Sequence, residues 1–245
     1  PFGGNLKVGI VSDVHGNFHA LKAVEEKMDR LGVEKVWFLG DAVGYGAFPN
    51  ECVRWLRSNA DLAVLGNHEL AVLGFVDLNL LNDLAAKALA WCKEVLTDEN
   101  LEYLGSLPIQ QEAGRFQLVH DTPAAPGSME YILTKEQAYK ALLAQRKECC
   151  FFGHTHLPAA YRLLGASVDS ISPPTVIFQG GRYLINPGSV GQPRDRDPRA
   201  SFGVLNPQEG TFSFYRVEYP VKEAAKAILD RGLPQFLAAR LILGV

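Results

Sequence analysis

The sequence predicts an α/β layered fold, two sheets packed face to face with helices outside. Three observations carry that expectation. The first third alternates short apolar runs with helix-period segments, the middle is helical, and the second half is mostly strand-like.

The elements run in order along the chain. Lys7 to Ser12 is an apolar run of buried-strand type. From Phe18 to Leu31 the residues Ala20, Leu21, Val24, Met28 and Leu31 recur at helical spacing, and Gly32 ends the helix. Lys35 to Leu39 is a second strand, and Pro49 opens a helix containing Val53 and Leu56. Leu62 to Leu65 is a third strand, so the βαβαβ order predicts a mainly parallel sheet. Helices are expected over Asn82–Leu96 and Asp98–Leu107, the second capped by Thr97. A hairpin should turn at Ala113-Gly114, between Ile109–Glu112 and Arg115–His120. Thr134 starts another helix, with Gln137 completing a capping box. Further strands are expected at Glu148–Phe152, Ala159–Leu164, Thr175–Gln179, Arg182–Ile185, Ser201–Leu205 and Thr211–Val217, with Gly165–Pro174 read as a surface excursion. Helices from about Val221 and Pro234 come last, and residues 1–245 are expected to form a single domain.

Composition narrows the partners. The net charge of -3 gives no electrostatic reason to expect nucleic acid. No apolar run reaches membrane-spanning length, and the most apolar stretch, Leu70–Leu81, is broken by Gly74, Asp77 and Asn79. Pro1–Asn5 has neither the basic stretch nor the apolar core of a leader, so a cytoplasmic location is expected. Cys52, Cys92, Cys149 and Cys150 form no CxxC pair and read as reduced, buried small hydrophobes. Leu237, Leu241, Ile242 and Leu243 suit core packing or, alternatively, a contact in a homo-oligomer.

The chemistry lies in the residues at the end of each strand. After the first comes Asp13-Val14-His15-Gly16-Asn17, after the second Gly40-Asp41, and after the third Gly66-Asn67-His68-Glu69. Later strands deliver His120 and Gly153-His154-Thr155-His156, so five of the six histidines stand at strand ends. Carboxylate, imidazole and amide oxygen donors suit Mn, Fe or Zn. Two such ions can hold a phosphoryl group and activate a water between them. A carboxylate must then bridge the ions, and Asp41 is the best candidate. His154 and His156 would share one side of an extended segment, whereas a turn would hand one to each metal. Asn17 reads as a helix cap, with phosphate contact as the alternative. His19 falls in the first turn of that helix and reads as an ordinary solvent-facing or loosely packed residue. Gly44-Tyr45-Gly46 reads as a turn, with Tyr45 as a possible pocket wall.

Asp-x-His, Gly-Asp, Gly-Asn-His-Glu, a lone His and Gly-His-Thr-His in this order resemble the calcineurin-like metallophosphoesterase superfamily. The match runs from Asp13 to His156, and Asn186–Arg194 extends it towards bacterial members of that group. The resemblance implies a four-layer fold and two divalent transition-metal ions, manganese first, with Fe, Zn or Ni compatible. It implies that Asp13, His15 and His156 hold one ion and Asn67, His120 and His154 the other, with Asp41 shared. It places His68 over the scissile phosphate as acid or charge stabiliser, and a hydroxide activated by the metals attacks phosphorus in line. Asn67 would also touch the substrate. Whether Glu69 or Asp41 orients neighbouring groups is left open.

The implied reaction is hydrolysis of a small phosphodiester or phosphomonoester, a nucleotide among them. The alternatives are a dinucleoside polyphosphate or phosphoprotein phosphatase and, from another class, a non-catalytic protein-binding scaffold. Scaffolds of this kind lose metal ligands, whereas all seven and His68 are kept here. Phosphatases of the first two kinds carry an Asp-Arg pair after the bridging aspartate, where this chain has Gly44-Tyr45. Those two activities would need a phosphate-gripping arginine from elsewhere. Arg194, Arg196 and Arg199, with Asp195 and Asp197 between them, read as a solvated charged loop; the alternative is that one of them reaches a substrate phosphate, and Arg194 is the preferred one. Asp121 stands after His120 where similar proteins often have Gly; it either adds charge beside a metal or caps the loop.

Overall fold

The computed structural model describes residues 6–245; the Pro1–Asn5 segment read for a leader lies outside the described residues. The expected opening order is present as β1 (Val8–Val11), α1 (Phe18–Leu31), β2 (Lys35–Phe38), α2 (Pro49–Asn59) and β3 (Leu62–Ala63). Asn17 caps α1 by accepting the Ala20 N–H at 3.1 Å, and Gly32 ends it at φ 68°. Next come α3 (Asn67–Val72), α4 (Asp83–Val95) and α5 (Asp98–Gly105). Helix α3 was not foreseen, because six residues are too few to show a helical period. The hairpin β4 (Gln110–Ala113) and β5 (Phe116–Val119) turns where expected, and Thr134 with Gln137 caps α6 (Lys135–Ala144).

Strands β6 (Cys149–Phe151), β7 (Ala159–Leu164), β8 (Ser167–Ser170), β9 (Thr175–Ile177), β10 (Arg182–Asn186), β11 (Ala200–Asn206) and β12 (Thr211–Val217) come next, then α7 (Val221–Asp230) and α8 (Gln235–Leu243). The Gly165–Pro174 excursion is corrected here. Its Ser167–Ser170 stretch pairs with β7, although its largely exposed residues give no apolar alternation to read.

The strands form two six-stranded sheets, ordered β3-β2-β1-β11-β12-β9 and β4-β5-β6-β10-β7-β8. The expectation of a mainly parallel sheet is also corrected. Only β3-β2-β1 and β5-β6-β10 run parallel, and all other neighbours pair antiparallel. The short links after β7 and β11 permit only antiparallel return.

Alternation along the strands builds the layers. Ile10, Trp37, Phe116, Phe151, Ile185 and Phe212 fill the space between the sheets. Val11, Phe38 and Phe202 point the other way, into α1, α2, α4, α7 and α8, while Val119, Cys150 and Leu184 face α6. Adjacent Cys149 and Cys150 therefore serve different cores, and all four cysteines are free and buried. Leu237 and Leu241 pack inside, whereas Ile242 and Leu243 remain exposed. Among the described residues, no helix is long and apolar enough to cross a membrane. The C-terminal ends of the parallel strands in both sheets open towards one cluster of side chains.

Candidate metal centre

The ends of β1, β2 and β6 deliver their residues through bends that L-amino acids rarely adopt. Asp13, His15, Asp41, His154 and His156 all have φ between 49° and 66°, and Tyr45 and Met129 beside them are also left-handed. Such backbone costs on the order of 1–3 kcal/mol per residue and persists where the surroundings over-determine it. The bends make His154 and His156 diverge, and so decide between the two arrangements left open by their spacing.

His156 joins Asp13 and His15, and His154 joins His120 and Asp41; within each group the donor atoms lie within 4.8 Å of one another. Asp41 stands between the groups. Its Oδ2 is 3.6 Å from His15 Nε2 and 3.3 Å from His120 Nε2, while its Oδ1 accepts the His68 N–H at 2.9 Å. Asn67 Oδ1 is 3.1 Å from His120 Nε2. All seven residues are buried, and so is His68.

Backbone carbonyls select the imidazole tautomers. A carbonyl oxygen only accepts, so the ring nitrogen facing it carries the proton. Val43 O accepts from His15 Nδ1 at 3.0 Å and from His68 Nδ1 at 3.1 Å, Leu39 O from His120 Nδ1 at 2.7 Å, and Gln192 O from His156 Nδ1 at 2.6 Å. His154 is turned the other way, its Nε2 donating to Met129 O at 3.1 Å. Burial, the largest influence, holds His15 and His156 well below the usual imidazole range, lowers His68, and takes His154 down to about 4. These four rings are therefore neutral at neutral pH, each offering one lone pair.

The donor set fits a cation. His15 Nε2 and His156 Nε2 are 3.0 Å apart with no proton between them, and buried Asp13 Oδ1 beside them accepts no hydrogen bond among the described residues. Two donors held at right angles about 2.1 Å from one ion would stand about 3.0 Å apart. Burial raises the Asp13 carboxyl to about 7 against the pull of His120. Burial alone would also raise Asp41, but the charge and hydrogen bond of His120 hold it well below the usual carboxylate range. His120 takes a proton instead: Asp41 overrides the effect of burial and lifts the ring to about 10.

The open question about Glu69 has a geometric answer. Its carboxylate accepts from the N–H groups of Asp41 at 2.7 Å, Ala42 at 2.7 Å, Val43 at 3.3 Å and Gly66 at 2.8 Å. It thus fixes the loops carrying Asp41 and Asn67; burial and then Asp41 raise it to about 7. Asp121 caps its loop, accepting from Thr122, Gly127 and Met129 N–H groups. The Asn186–Arg194 segment wraps the first ligand group, Ser189 Oγ donating to Asp13 O at 2.7 Å and Ser12 Oγ to Asp13 Oδ2 at 2.6 Å. Ser12, Ser189 and the Gln192 carbonyl were missed, because nothing in their sequence separates them from ordinary loop residues.

The ligand cluster opens on a cavity of about 240 Å³ lined by Asp41, Asn67, His68, His154 and His156, with Tyr45, Tyr131 and Arg194. Tyr45 is buried, its ring 4.7 Å from both His15 and His68. Arg194 reaches the cavity with Gln192 as its hydrogen-bonding neighbour, whereas Arg199 pairs with Asp197. Arg196 is exposed and lies outside the cavity. Asn17 spends its side chain on Ala20, Gly191 and Tyr219, which leaves it a cap. His19 packs edge-on against Phe48 at 5.4 Å.

Residues 6–210 match the model of the calcineurin-like phosphoesterase superfamily domain. An uncharacterized protein of Methanocaldococcus jannaschii is 36% identical over 97% of this chain and 98% of its own length. A metallophosphoesterase from Sphaerobacter thermophilus has a solved structure that superposes with a TM-score of 0.88, at 39% identity over 99% of this chain and 100% of that one. A symmetrical bis(5'-nucleosyl)-tetraphosphatase of Psychromonas ingrahamii shares 42% identity over only 26% of this chain and 24% of its own.

Proposed function

The chain belongs to the calcineurin-like phosphoesterase superfamily, and from that premise we propose that it hydrolyses small phosphate esters, mono- or diesters, with two divalent metal ions. The observation that carries this reading is the 3.0 Å approach of two neutral imidazole nitrogens beside an unsatisfied buried carboxylate oxygen. Asp13, His15 and His156 would hold one ion, Asn67, His120 and His154 the other, with Asp41 Oδ2 facing both. Manganese suits this oxygen and imidazole set, as do Fe, Zn and Ni. The ions, when bound, supply charge for the phosphoryl oxygens and a water of lowered pKa.

The chain's own residues do the rest. His68 Nδ1 is tied to Val43 O, so its Nε2 is the free atom, which would take up a proton from solvent and pass it to the leaving oxygen, and Tyr45 steadies the ring. Arg194 supplies the guanidinium that the Gly44-Tyr45 loop lacks, gripping a phosphate oxygen, with the Asn67 amide beside it. The Gly44-Tyr45 loop, standing where an Asp-Arg pair would be, favours a small ester over the dinucleoside polyphosphate or phosphoprotein alternative. The complete ligand set speaks against a scaffold without catalysis.

The test strips the protein of metal, restores Mn²⁺ and assays nitrophenyl phosphate mono- and diesters and nucleotides. His68 also lies within donor distance of Asp41 and His15, so position alone does not separate it from the ligands. His68→Asn should lower kcat by about 10²–10⁴-fold while elemental analysis still finds the wild-type metal content. No hydrolysis by the reloaded wild type would sink the proposal, and loss of metal in His68→Asn would make that residue a ligand.

A further inference from the structure

Tyr131 is a large aromatic side chain left 44% exposed, yet it is not loosely placed. Its ring stacks on His154 at 4.2 Å with an interplanar angle of 24°. The loop beneath it is held at three points. The Asp121 carboxylate takes the Met129 N–H at 2.7 Å, the Met129 carbonyl takes His154 Nε2, and the neighbouring Ile132 is buried in the core under α6. Met129 accepts a left-handed backbone, φ 64°, to make this connection. The arrangement fixes a partly bare aromatic ring at the rim of the metal cavity, whose lining also includes Leu81 and Ala85.

We propose that Tyr131 is a stacking surface for an aromatic ring in the ester's alcohol group, which makes nucleoside phosphates the favoured substrate class. This deepens the phosphoesterase reading and rests on it for the position of the phosphate. The physical division is simple. Imidazole, carboxylate and Arg194 groups deal with the phosphoryl end, which is alike in all esters. Tyr131, with apolar atoms of Leu81 and Ala85 in the same cavity, deals with the end that differs between substrates. Stacking needs no hydrogen bond to a base edge, so the preference should hold across bases. An aromatic face held against the His154 ring also offers more to a flat, polarisable group than to a sugar or an alkyl chain.

The test compares adenosine 5'-monophosphate with ribose 5-phosphate, which differ by the base alone. Binding is measured by calorimetry with Mn²⁺ present, in protein carrying His68→Asn so that both ligands persist. The expected result is at least about fivefold tighter binding of the nucleotide, the low end of what stacking on one aromatic supplies. Adding Tyr131→Leu should remove that preference and leave ribose 5-phosphate affinity unchanged, while Tyr131→Phe should keep it. Equal binding of the two ligands, or equal weakening of both by Tyr131→Leu, would overturn the proposal; the latter would mean that Tyr131 acts only by holding His154. If the base preference tracks Tyr131 but the wild-type protein hydrolyses no ester, the subsite stands and the phosphoesterase reading falls.

Discussion

At the scale of single residues, the centre is a set of buried groups whose protonation is decided by their neighbours. Burial holds the Asp13 carboxyl at about 7 in the metal-free protein, above its ordinary value of 3.8. At pH 6 it therefore keeps a proton that an arriving cation must expel, so metal affinity should fall as pH drops through 7. His120, protonated up to about 10, would release a second proton on binding an ion, whereas His154 adds no such competition because its ring stays neutral down to about 4. Calorimetric titration of Mn²⁺ into stripped protein at pH 6, in two buffers of different ionisation enthalpy, should show proton release, and Asp13→Asn should reduce it. Identical heats in both buffers would contradict this account. The clustered residues were legible in the sequence because imidazole and carboxylate side chains recur after strand after strand. The carbonyls of Val43, Leu39, Gln192 and Met129, which set the tautomers, were not, since every residue type carries the same carbonyl. Tyr131 was equally silent: its value lies in its distance from His154, not in its spacing along the chain.

At the scale of elements, most of the fold could be read in advance. Strands β1 and β2 and helix α1 declare themselves through apolar runs and a clean helical period, and Thr97, Thr134 and Asn17 cap the helices assigned to them. Short elements escaped, because α3 has too few residues and β8 too many exposed ones to show a period. Loops are constrained more tightly than their sequence suggests. A Cβ on Gly66 would stand 2.1 Å from Asp41 Oδ1, and one on Gly44 would stand 2.1 Å from His68 Nδ1. Gly44 also has φ 87°, which a side chain would strain. Gly44→Ala should therefore push His68 off its Val43 partner. The expected outcome is a kcat loss of at least about tenfold, with metal content retained because the atoms such a Cβ would meet belong to His68 and not to a proposed ligand. Assay of the purified variant beside elemental analysis checks this, and unchanged kcat would show that the ring tolerates displacement.

At the scale of the whole molecule, function arises where two sheets meet at one edge. Asp13, His15, Asp41 and Asn67 come from the ends of β1, β2 and β3 in one sheet, and His120, His154 and His156 from β5 and β6 in the other. Neither sheet alone holds a complete centre, so the sandwich core of Trp37, Phe116, Phe151 and Phe212 sets the distance between its halves. The central claim is that both halves carry an ion. Anomalous diffraction at the manganese edge, from crystals grown with Mn²⁺, tests it most directly. The account predicts two peaks about 3.5–4 Å apart, one against Asp13, His15 and His156 and the other against Asn67, His120 and His154, with Asp41 between them. No peak within this cluster, or a lone ion coordinated by His68, would contradict it.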